Sequence, residues 1–484
     1  MHTPSEEQGL RARRLQGRAE AAIHRMDPAQ LSSLLEQVEQ ESRRRGLVYV
    51  REGDRIEVVR LFTLPVIMTR EQHAYVHSAS MTLLSACKRL RLLYHADPEV
   101  RSALQLPDDE ERWLFDAHAS LRRHDPVFAR LDAVVDFARP AWKESLTFVE
   151  PNLSGVGGLH LLPMAEQIAA QLVVPRIGGH DLVLERGSDI RELMFQEIVD
   201  HLEAIGRAAS ASTPRVVALV EPGERTPGVE EQELLQRHFR VRYGVEIVHA
   251  DPREFSIDGG EVTCRGRVVD VAYRDYAVVD LLALQAQGSV DLEPMRRLFA
   301  ENRMVSSISA EIDQKSNFEV LSDPELLDRH FGPDERDVLA RHIPWTRLVR
   351  ERRTQLPDGR AGELAPYVQA NRERLVLKPN RSYGGYGVVV GAAVDDAAWG
   401  QAVEAAFSTP GQFVVQAKAE VPVHLLPVRR DDGVVDLEPC YVVMGFAPSR
   451  YGLATLGRAS ARQVVNVAQR GGLVAVLIGH GGKG

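Results

Sequence analysis

The chain has 484 residues, 44% apolar and 26% charged, and its 59 basic and 68 acidic side chains leave a net charge of −9. This is ordinary for a globular protein and enough material for roughly two to four domains. A negative net charge does not match the basic composition of a nucleic-acid-binding protein. The apolar runs are shorter than the roughly 20 residues that cross a bilayer. Because the N-terminus also lacks the apolar core of a signal peptide, we expect a cytoplasmic protein with neither nucleic acid nor membrane as partner.

Two rare residue types stand out. The three cysteines are too far apart for a CxxC site, and we expect buried thiols: Cys87, Cys264 and Cys440. Only six of the 59 basic residues are lysine: Lys88, Lys143, Lys315, Lys378, Lys418 and Lys483. Each lysine is therefore an exception in an arginine-rich chain.

The first 125 residues are predicted to form a helical region. Residues 5–48 have the pattern of two amphipathic helices, the second starting at Asp27 and Pro28. The helical pattern continues over 70–125. The runs ARLDAVVDF (129–137) and SLTFVEPN (145–152) then predict a β-hairpin with a polar connector.

The middle of the chain predicts a βαβ unit. PRVVALVEPG (214–223) and VEIVHADPREF (245–255) are strand-like, and EEQELLQRHFRVRYG (230–244) between them is helical. A second hairpin is predicted to turn at residues 258–260, Asp-Gly-Gly. Residues 284–350 are mostly helical in pattern, and the remainder is strand-rich around the helix DDAAWGQAVEAAF (395–407).

A glycine-rich loop, NRSYGGY (380–386), joins the strand-like runs RLVLKP (374–379) and GVVVG (387–391). A Walker loop and a dinucleotide fingerprint both lead into a helix and have other spacings, so neither fits. The pattern favours a hairpin flap whose backbone N–H groups surround an anion, with Lys378 at its root as the point charge that phosphates favour. A plain surface hairpin is the alternative.

The first hairpin places polar residues on one face. A strand period of two puts Arg130 and Asp132 together on one strand, and Phe148, Glu150 and Asn152 together on the other. Two carboxylates and an amide oxygen are ligands that Mg²⁺ accepts when it bridges nucleotide phosphates. The alternative is a polar solvent face on an edge hairpin.

Together these motifs resemble the circularly permuted branch of the ATP-grasp superfamily, which includes glutathionylspermidine synthase. In ordinary members the R-x-D and E-x-N strands follow the lysines and the flap, whereas here they precede them. The resemblance implies that ATP is bound by Lys315 in EIDQKSNFEVLSD, by Lys378, by flap residues and by a hinge glutamine: Ser382, Gly384, Gly385, Tyr386, Gly387 and Gln416.

The resemblance also implies roles around the phosphates. Gln416 would sit beside adenine, and backbone groups of Ala417 and Lys418 would contact its edge. Arg458 would face the transferred phosphoryl group, and Arg130 would hold an acyl phosphate or substrate carboxylate, or else pair with Asp132. The implied Mg²⁺ ligands are Asp132, Glu150 and Asn152, with Asp136 and Glu438 as rivals. Arg274 either faces substrate or forms an ordinary ion pair.

The fold implied is α/β: a permuted ATP-grasp fold with a Rossmann-like pre-ATP-grasp domain. Its parts would be a helical region (1–125), the metal-binding hairpin with helices of the permuted lobe (126–205), the βαβ domain (206–305) and the nucleotide-binding region (306–484). The activity implied is an ATP- and Mg²⁺-dependent ligase that joins a small-molecule or peptide carboxylate to an amine through an acyl phosphate. A phosphotransferase and a nucleotide-binding protein without turnover are the alternatives.

Overall fold

A computed structural model describes residues 3–51, 55–116, 124–179, 182–206, 216–222, 228–229, 231–288, 290–430, 432–467 and 469–480. Lys483 and the end of the predicted helical region, 117–123, lie outside these residues. The strands are β1 (Val48–Arg51), β2 (Arg55–Val58), β3 (Leu61–Met68), β4 (Arg130–Val134), β5 (Thr147–Asn152), β6 (Val183–Arg186), β7 (Val216–Val220), β8 (Gly228–Val229), β9 (Glu246–Ala250), β10 (Phe255–Asp258), β11 (Glu261–Cys264), β12 (Arg267–Val268), β13 (Val271–Arg274), β14 (Met304–Val305), β15 (Thr346–Leu348), β16 (Arg353–Gln355), β17 (Ala361–Glu363), β18 (Leu375–Pro379), β19 (Val389–Val390), β20 (Phe413–Ala417), β21 (Val423–Arg429), β22 (Val435–Ser449), β23 (Gly452–Ser460) and β24 (Gly472–His480).

The α-helices alternate with these strands along the chain. They are α1 (Pro4–His24), α2 (Pro28–Arg44), α3 (Arg70–Ala96), α4 (Pro98–Leu104), α5 (Asp108–Asp116), α6 (Trp142–Ser145), α7 (Leu161–Ile168), α8 (Val174–Ile177), α9 (Ile190–Ala204), α10 (Gln232–Tyr243), α11 (Val278–Ala286), α12 (Glu293–Ala300), α13 (Asn317–Val320), α14 (Pro324–His330), α15 (Pro333–His342), α16 (Leu364–Ala370) and α17 (Asp396–Ser408). Among the described residues, no helix combines the length and the apolarity needed to cross a membrane.

The two N-terminal helices start at capping residues. Thr3 and Glu6 form a capping box at α1, and the Asp27 side chain accepts the Ala29 N–H at 2.8 Å at the start of α2. The predicted start at Asp27 is thus confirmed. The region expected to be helical nevertheless also holds three strands. The fully buried β3 pairs in parallel with β24, so the N-terminal segment is part of the largest sheet.

That sheet has eight strands, in the order β3-β24-β23-β22-β4-β5, with β21 beside β22 and β6 beside β24. The predicted hairpin forms its edge, since β4 and β5 pair antiparallel. A second, parallel sheet has the order β14-β13-β7-β9, and β7, α10 and β9 confirm the predicted βαβ unit. The two-residue turn between β10 and β11 falls at Gly259 and Gly260, both with positive φ, as the Asp-Gly-Gly motif predicts.

A third sheet, β15-β20-β18-β19, forms a lobe with α16 and α17, which we call the small lobe (residues 346–417). It has a core of its own around Leu375, Leu377, Trp399 and Val415, separate from the large core beneath the eight-stranded sheet. The fold is therefore mixed α/β, as expected. The three cysteines are free and buried.

Candidate active site

The β4–β5 hairpin carries four of the predicted site residues on one face. Arg130 pairs with Asn152, and Asp132 with Glu150, across the ladder. The register then shifts, so that Ala133 pairs with Phe148 and Val149 becomes the extra residue of a bulge. The expectation that Phe148 shares the face of Glu150 is wrong for this reason: Phe148 is fully buried, with its ring against Phe446.

A glycine on the neighbouring strand makes room for this cluster. Gly445 of β22 pairs with Asp132. A Cβ atom on Gly445 would lie 2.7 Å from Cδ of Arg130 and 3.0 Å from Oδ1 of Asp132. The missing side chain therefore lets β22 approach the polar face of β4.

Asp132 is the shared acceptor of two arginines. Arg130 Nε donates to its Oδ1 at 3.0 Å, and Arg458 Nη2, from β23, contacts its Oδ2 at 2.8 Å. Burial opposes ionisation of Asp132, but the charges and hydrogen bonds of Arg130 and Arg458 outweigh it and lower the pKa of Asp132 to about 2. Asp132 is therefore a carboxylate at neutral pH. Asn152 Nδ2 donates to the Arg130 carbonyl at 3.1 Å.

Two lysines from distant parts of the chain face this hairpin. Lys315 Nζ lies 2.8 Å from Glu150 Oε1 and donates to the Ser382 carbonyl at 2.5 Å. Lys378 Nζ donates to Gln416 Oε1 at 2.6 Å and to the Val149 carbonyl at 3.1 Å. Burial is the main cause that lowers the pKa of Lys378 to about 8, with Lys315 adding to it and Glu150 opposing it.

The glycine-rich loop connects β18 and β19, which pair antiparallel as predicted. In this flap (residues 382–387), Gly384, Gly385 and Gly387 have φ angles of 73°, 72° and 70°, which favour glycine. Tyr386 is 61% exposed. Gln469 Nε2 donates to the carbonyls of Gly384 at 3.3 Å and Gly385 at 2.9 Å, so a C-terminal loop holds the flap.

Contacts at the flap root involve residues that the sequence did not single out. The Asn380 carbonyl accepts the Lys315 N–H at 3.0 Å. Arg381 binds Glu110 of α5 through both guanidinium ends, one at 2.9 Å, and Glu110 is buried. Asp313 accepts N–H groups from Leu153 at 2.9 Å and Ser154 at 2.8 Å, tying the segment before Lys315 to the loop after β5. No spacing rule marks these residues, since each acts through a distant partner.

Gln416 lies inside the small lobe and is 2% exposed. Besides accepting from Lys378, it donates to Thr346 Oγ1 at 3.0 Å. The N–H groups of Ala417 and Lys418 are also engaged, with the carbonyls of Trp345 and Arg374, both at 2.8 Å. Of the backbone groups expected to contact the adenine edge, these two N–H groups are thus bonded within the protein.

Three further candidates lie apart from the cluster. Asp136 Oδ1 accepts the Ala138 N–H at 3.0 Å within the hairpin connector. Glu438 follows the alternation of β22 to the sheet face opposite Gly445 and Asp132. Arg274 forms an ion pair of 2.8 Å with Glu311, and both side chains are 0% exposed, which is the ordinary ion pair considered as its alternative.

The cluster is positive although the whole protein is acidic. Four cations, Arg130, Lys315, Lys378 and Arg458, surround the carboxylates of Asp132 and Glu150. Arg130 also acts on Asp275 at longer range. Within the described residues, the buried Nε of Arg458 has no hydrogen-bond partner. A positive site with an unused donor suits a polyanionic ligand.

The donor set also fits Mg²⁺. The described part of the chain holds no cluster of three or more His, Cys, Asp or Glu residues that could form a complete metal cage. Magnesium usually takes one or two protein carboxylates and completes its octahedron with water and nucleotide phosphates. Asp132, Glu150 and the amide oxygen of Asn152 match that requirement in chemical type.

No protein-family model and no curated protein matches the sequence. Among solved structures, a glutathione synthetase-like effector from Globodera pallida matches 94% of this chain and 98% of its own, with a TM-score of 0.62 and 12% identity. This match shows a shared fold over nearly the whole of both chains.

Two other solved structures match with lower scores. A RimK-domain ATP-grasp protein from Sphaerobacter thermophilus matches 51% of this chain and 91% of its own, at 16% identity and a TM-score of 0.24. A putative gamma-glutamylcysteine synthetase from Methylobacillus flagellatus matches 78% and 87%, at 9% identity and a TM-score of 0.38. At these TM-scores, neither match supports a conclusion about this chain.

Proposed function

We propose that the chain is an ATP- and Mg²⁺-dependent carboxylate–amine ligase on a circularly permuted ATP-grasp fold. The observation behind this proposal is that the β4–β5 hairpin contacts both lysines, which come from distant parts of the chain. Lys378 Nζ lies 3.1 Å from the Val149 carbonyl, 229 positions away in sequence, and Lys315 Nζ lies 2.8 Å from Glu150. The fold shared with a glutathione synthetase-like effector supports the same proposal.

The chain's own residues would neutralise the phosphates. Moving a γ-phosphoryl group spreads negative charge over its oxygens, so catalysis depends mostly on positioning and on fixed positive charge. Lys315, Lys378 and Arg458 supply that charge, and each is now bonded to a protein acceptor. We propose that each exchanges this acceptor for a phosphate oxygen when nucleotide binds.

Asp132, Glu150 and Asn152 would hold Mg²⁺. The metal, when bound, would neutralise charge on the nucleotide phosphates. Because Glu150 is paired with Lys315 and Asp132 with two arginines, these protein cations keep the carboxylates neutralised before nucleotide and metal arrive. Arg130 donates to Asp132 and, at 2.7 Å, to the Gly157 carbonyl, which fixes its guanidinium beside the site.

The flap would close the site during the reaction. Its glycines can aim backbone N–H groups at phosphate, and closure excludes water that would hydrolyse an acyl phosphate. The domain organisation we propose keeps the boundaries 1–125, 126–205, 206–305 and 306–484, with the first part also contributing β3 to the eight-stranded sheet.

Hydroxylamine trapping tests the reaction. The purified protein is incubated with MgATP, hydroxylamine and a panel of small and peptide carboxylic acids, and ADP and hydroxamate are measured together. A ligase that forms an acyl phosphate releases ADP and hydroxamate in equal amounts with an accepted acid. ADP release with a stable phosphorylated product identifies a phosphotransferase instead, and nucleotide binding without ADP release across the panel contradicts the ligase proposal. Lys378→Met is the control for contaminating activity.

A further inference from the structure

A second polar cavity lies at the end of the eight-stranded sheet. Its volume is about 150 Å³, room for about five water molecules at liquid density. Strands β3, β22 and β23 and the loop 461–471, which we call the anchor loop, surround it. Its lining includes Arg60, Phe62, Glu438, Cys440, Arg462 and Arg470.

The cavity is distinct from the lysine cluster. Paired residues of neighbouring strands share a face, and the pairs Gly445 with Asp132 and Val443 with Arg458 define the face of the candidate active site. Cys440, three residues from Val443 on the same regular strand, points to the opposite face. A ligand in the cavity would therefore be separated from Asp132 by the sheet.

Three arginines line the cavity without forming a direct ion pair among the described residues, although Arg470 acts on Glu57 at longer range. In the part of the chain that the structure describes, Arg60, Arg462 and Arg470 have no carboxylate within ion-pair distance, and Glu438 has no cationic partner. By contrast, the nearby Arg51 is paired with Glu57 at 2.8 Å. Three guanidinium groups against the single carboxylate of Glu438 leave the cavity with an excess of positive charge. That excess favours an anion there, and guanidinium groups match phosphate and carboxylate geometry.

We propose that this cavity binds a small oxyanion with phosphate or carboxylate groups, at a site separate from the candidate active site. The exposed side chains of Arg60, Arg462 and Arg470 can turn onto such a ligand, and Glu438 can accept a hydrogen bond from a hydroxyl or ammonium group of it. The size of the cavity limits the ligand to a few non-hydrogen atoms, as in hydrogenphosphate or a short dicarboxylate.

Occupancy of the cavity would reach the flap through the anchor loop. Arg470 lines the cavity, and its neighbour Gln469 donates to the carbonyls of Gly384 and Gly385. An anion that orders Arg462 and Arg470 would hold Gln469 in place and so stabilise the flap in the position where Gln469 contacts it. An effect of the flap position on ATP turnover rests on the proposed function, whereas binding of the anion does not.

Calorimetric titration with inorganic phosphate, and separately with succinate, tests the site at ionic strength balanced with KCl. We expect Arg60→Gln or Arg470→Gln to weaken binding about tenfold, the loss typical of one charge-assisted hydrogen bond, and the double variant to abolish it. Arg240→Gln, an exposed arginine on α10, is the charge-matched control. Whichever titrant binds identifies the anion.

A further variant separates the two positive sites. Lys378→Met should leave this binding unchanged, since Lys378 belongs to the other cluster. Equal affinity in the wild type and the double variant, binding lost only in Lys378→Met, or no binding of either anion by the wild type would overturn the proposal. None of these outcomes depends on whether the protein is a ligase.

Hydrogen exchange of residues 382–387 tests the link to the flap. Phosphate or succinate, whichever binds, should slow exchange in the wild type severalfold and have no effect in Gln469→Ala, which retains the arginines. If Gln469→Ala responds as the wild type does, the anchor loop does not transmit occupancy.

Discussion

The buried surroundings of Lys378 disfavour the charged form of its side chain. Its ammonium is buried between the small lobe and the hairpin, with Gln416 and the Val149 carbonyl as neutral acceptors. Burial lowers the pKa of Lys378 to about 8. A phosphate oxygen in place of these acceptors would stabilise the charged form, so nucleotide binding and protonation of Lys378 should favour each other.

MgATP affinity should therefore depend on pH around 8. Below pH 8 Lys378 is protonated and can bind phosphate directly. Above pH 8 Lys378 is mostly neutral, so nucleotide binding must be accompanied by uptake of a proton by this lysine. We expect affinity to fall as pH rises from 7 to 10, approaching about tenfold per pH unit in the upper part of that range. Calorimetric titration with MgATP across this pH range measures the affinity. Lys378→Arg stays protonated throughout, and a similar decline in that variant would exclude Lys378 as the titrating group.

Asp132 should matter for stability as well as for function. Asp132→Asn removes the negative charge shared by Arg130 and Arg458, whose side chains are 12% and 7% exposed. Breaking a buried ion pair from one side costs about 3 to 5 kcal/mol. We expect a loss near the lower value in the free energy of unfolding, measured by urea denaturation at pH 7.

The exposed pair between Asp396 and Arg372 provides the control for that measurement. The Asp396 side chain is 93% exposed, so Asp396→Asn should change stability by less than about 1 kcal/mol. Equal losses in the two variants would contradict a buried role for Asp132. The pKa of Asp132 is lowered to about 2 from an ordinary value of 3.8, so its contribution is present above pH 4 and is lost as pH falls toward 2.

At the scale of elements, the sequence predicts the strands, hairpins and turns that depend on residues close together in the chain. The strands on either side of the flap, the β4–β5 hairpin and the βαβ unit follow from residue periodicity and from turn residues such as Gly259 and Gly260. The bulge at Val149 and the parallel pairing of β3 with β24 depend on packing between distant segments. The contacts of Arg381 and Asp313 could not be predicted from local patterns for the same reason, because their partners are far away in sequence.

The flap should be sensitive to substitution of Gly385. Its φ is +72°, and an added Cβ would lie 2.8 Å from Cγ1 of Val464 on the anchor loop. A left-handed conformation costs an alanine about 1 to 2 kcal/mol. We expect Gly385→Ala to displace the flap and raise the Kd for MgATP about tenfold or more, measured by calorimetry.

Gly433, in the turn before β22, is the matched control. Its φ is +84°, and an added Cβ would meet no atom within 4 Å. Gly433→Ala therefore carries a similar backbone cost away from the flap and should leave MgATP affinity unchanged. An equal loss of affinity in both variants would point to a general backbone effect rather than to the flap.

At the scale of the whole molecule, the candidate site depends on two lobes with separate cores. The small lobe contributes Lys378, and the eight-stranded sheet contributes Asp132, Glu150 and Arg458. The hydrogen bond of Lys378 to the Val149 carbonyl and that of Lys315 to the Ser382 carbonyl join the two sides. A ligand that binds residues of both lobes should therefore stabilise both, whereas a ligand confined to one lobe should leave the other unchanged.

MgATP should slow hydrogen exchange in β5 and in β18 together. At a concentration 100 times its Kd, a ligand that binds only the folded state adds about 2.7 kcal/mol to the free energy of unfolding, and a site between lobes spreads that protection over both. Lys315→Met removes the cation opposite Glu150 and should lose the protection at the same MgATP concentration, whereas Lys88→Met on α3 should retain it. Slower exchange in β18 with no change in β5 would mean that nucleotide contacts one lobe only, and the hairpin carboxylates would then have no part in binding its metal.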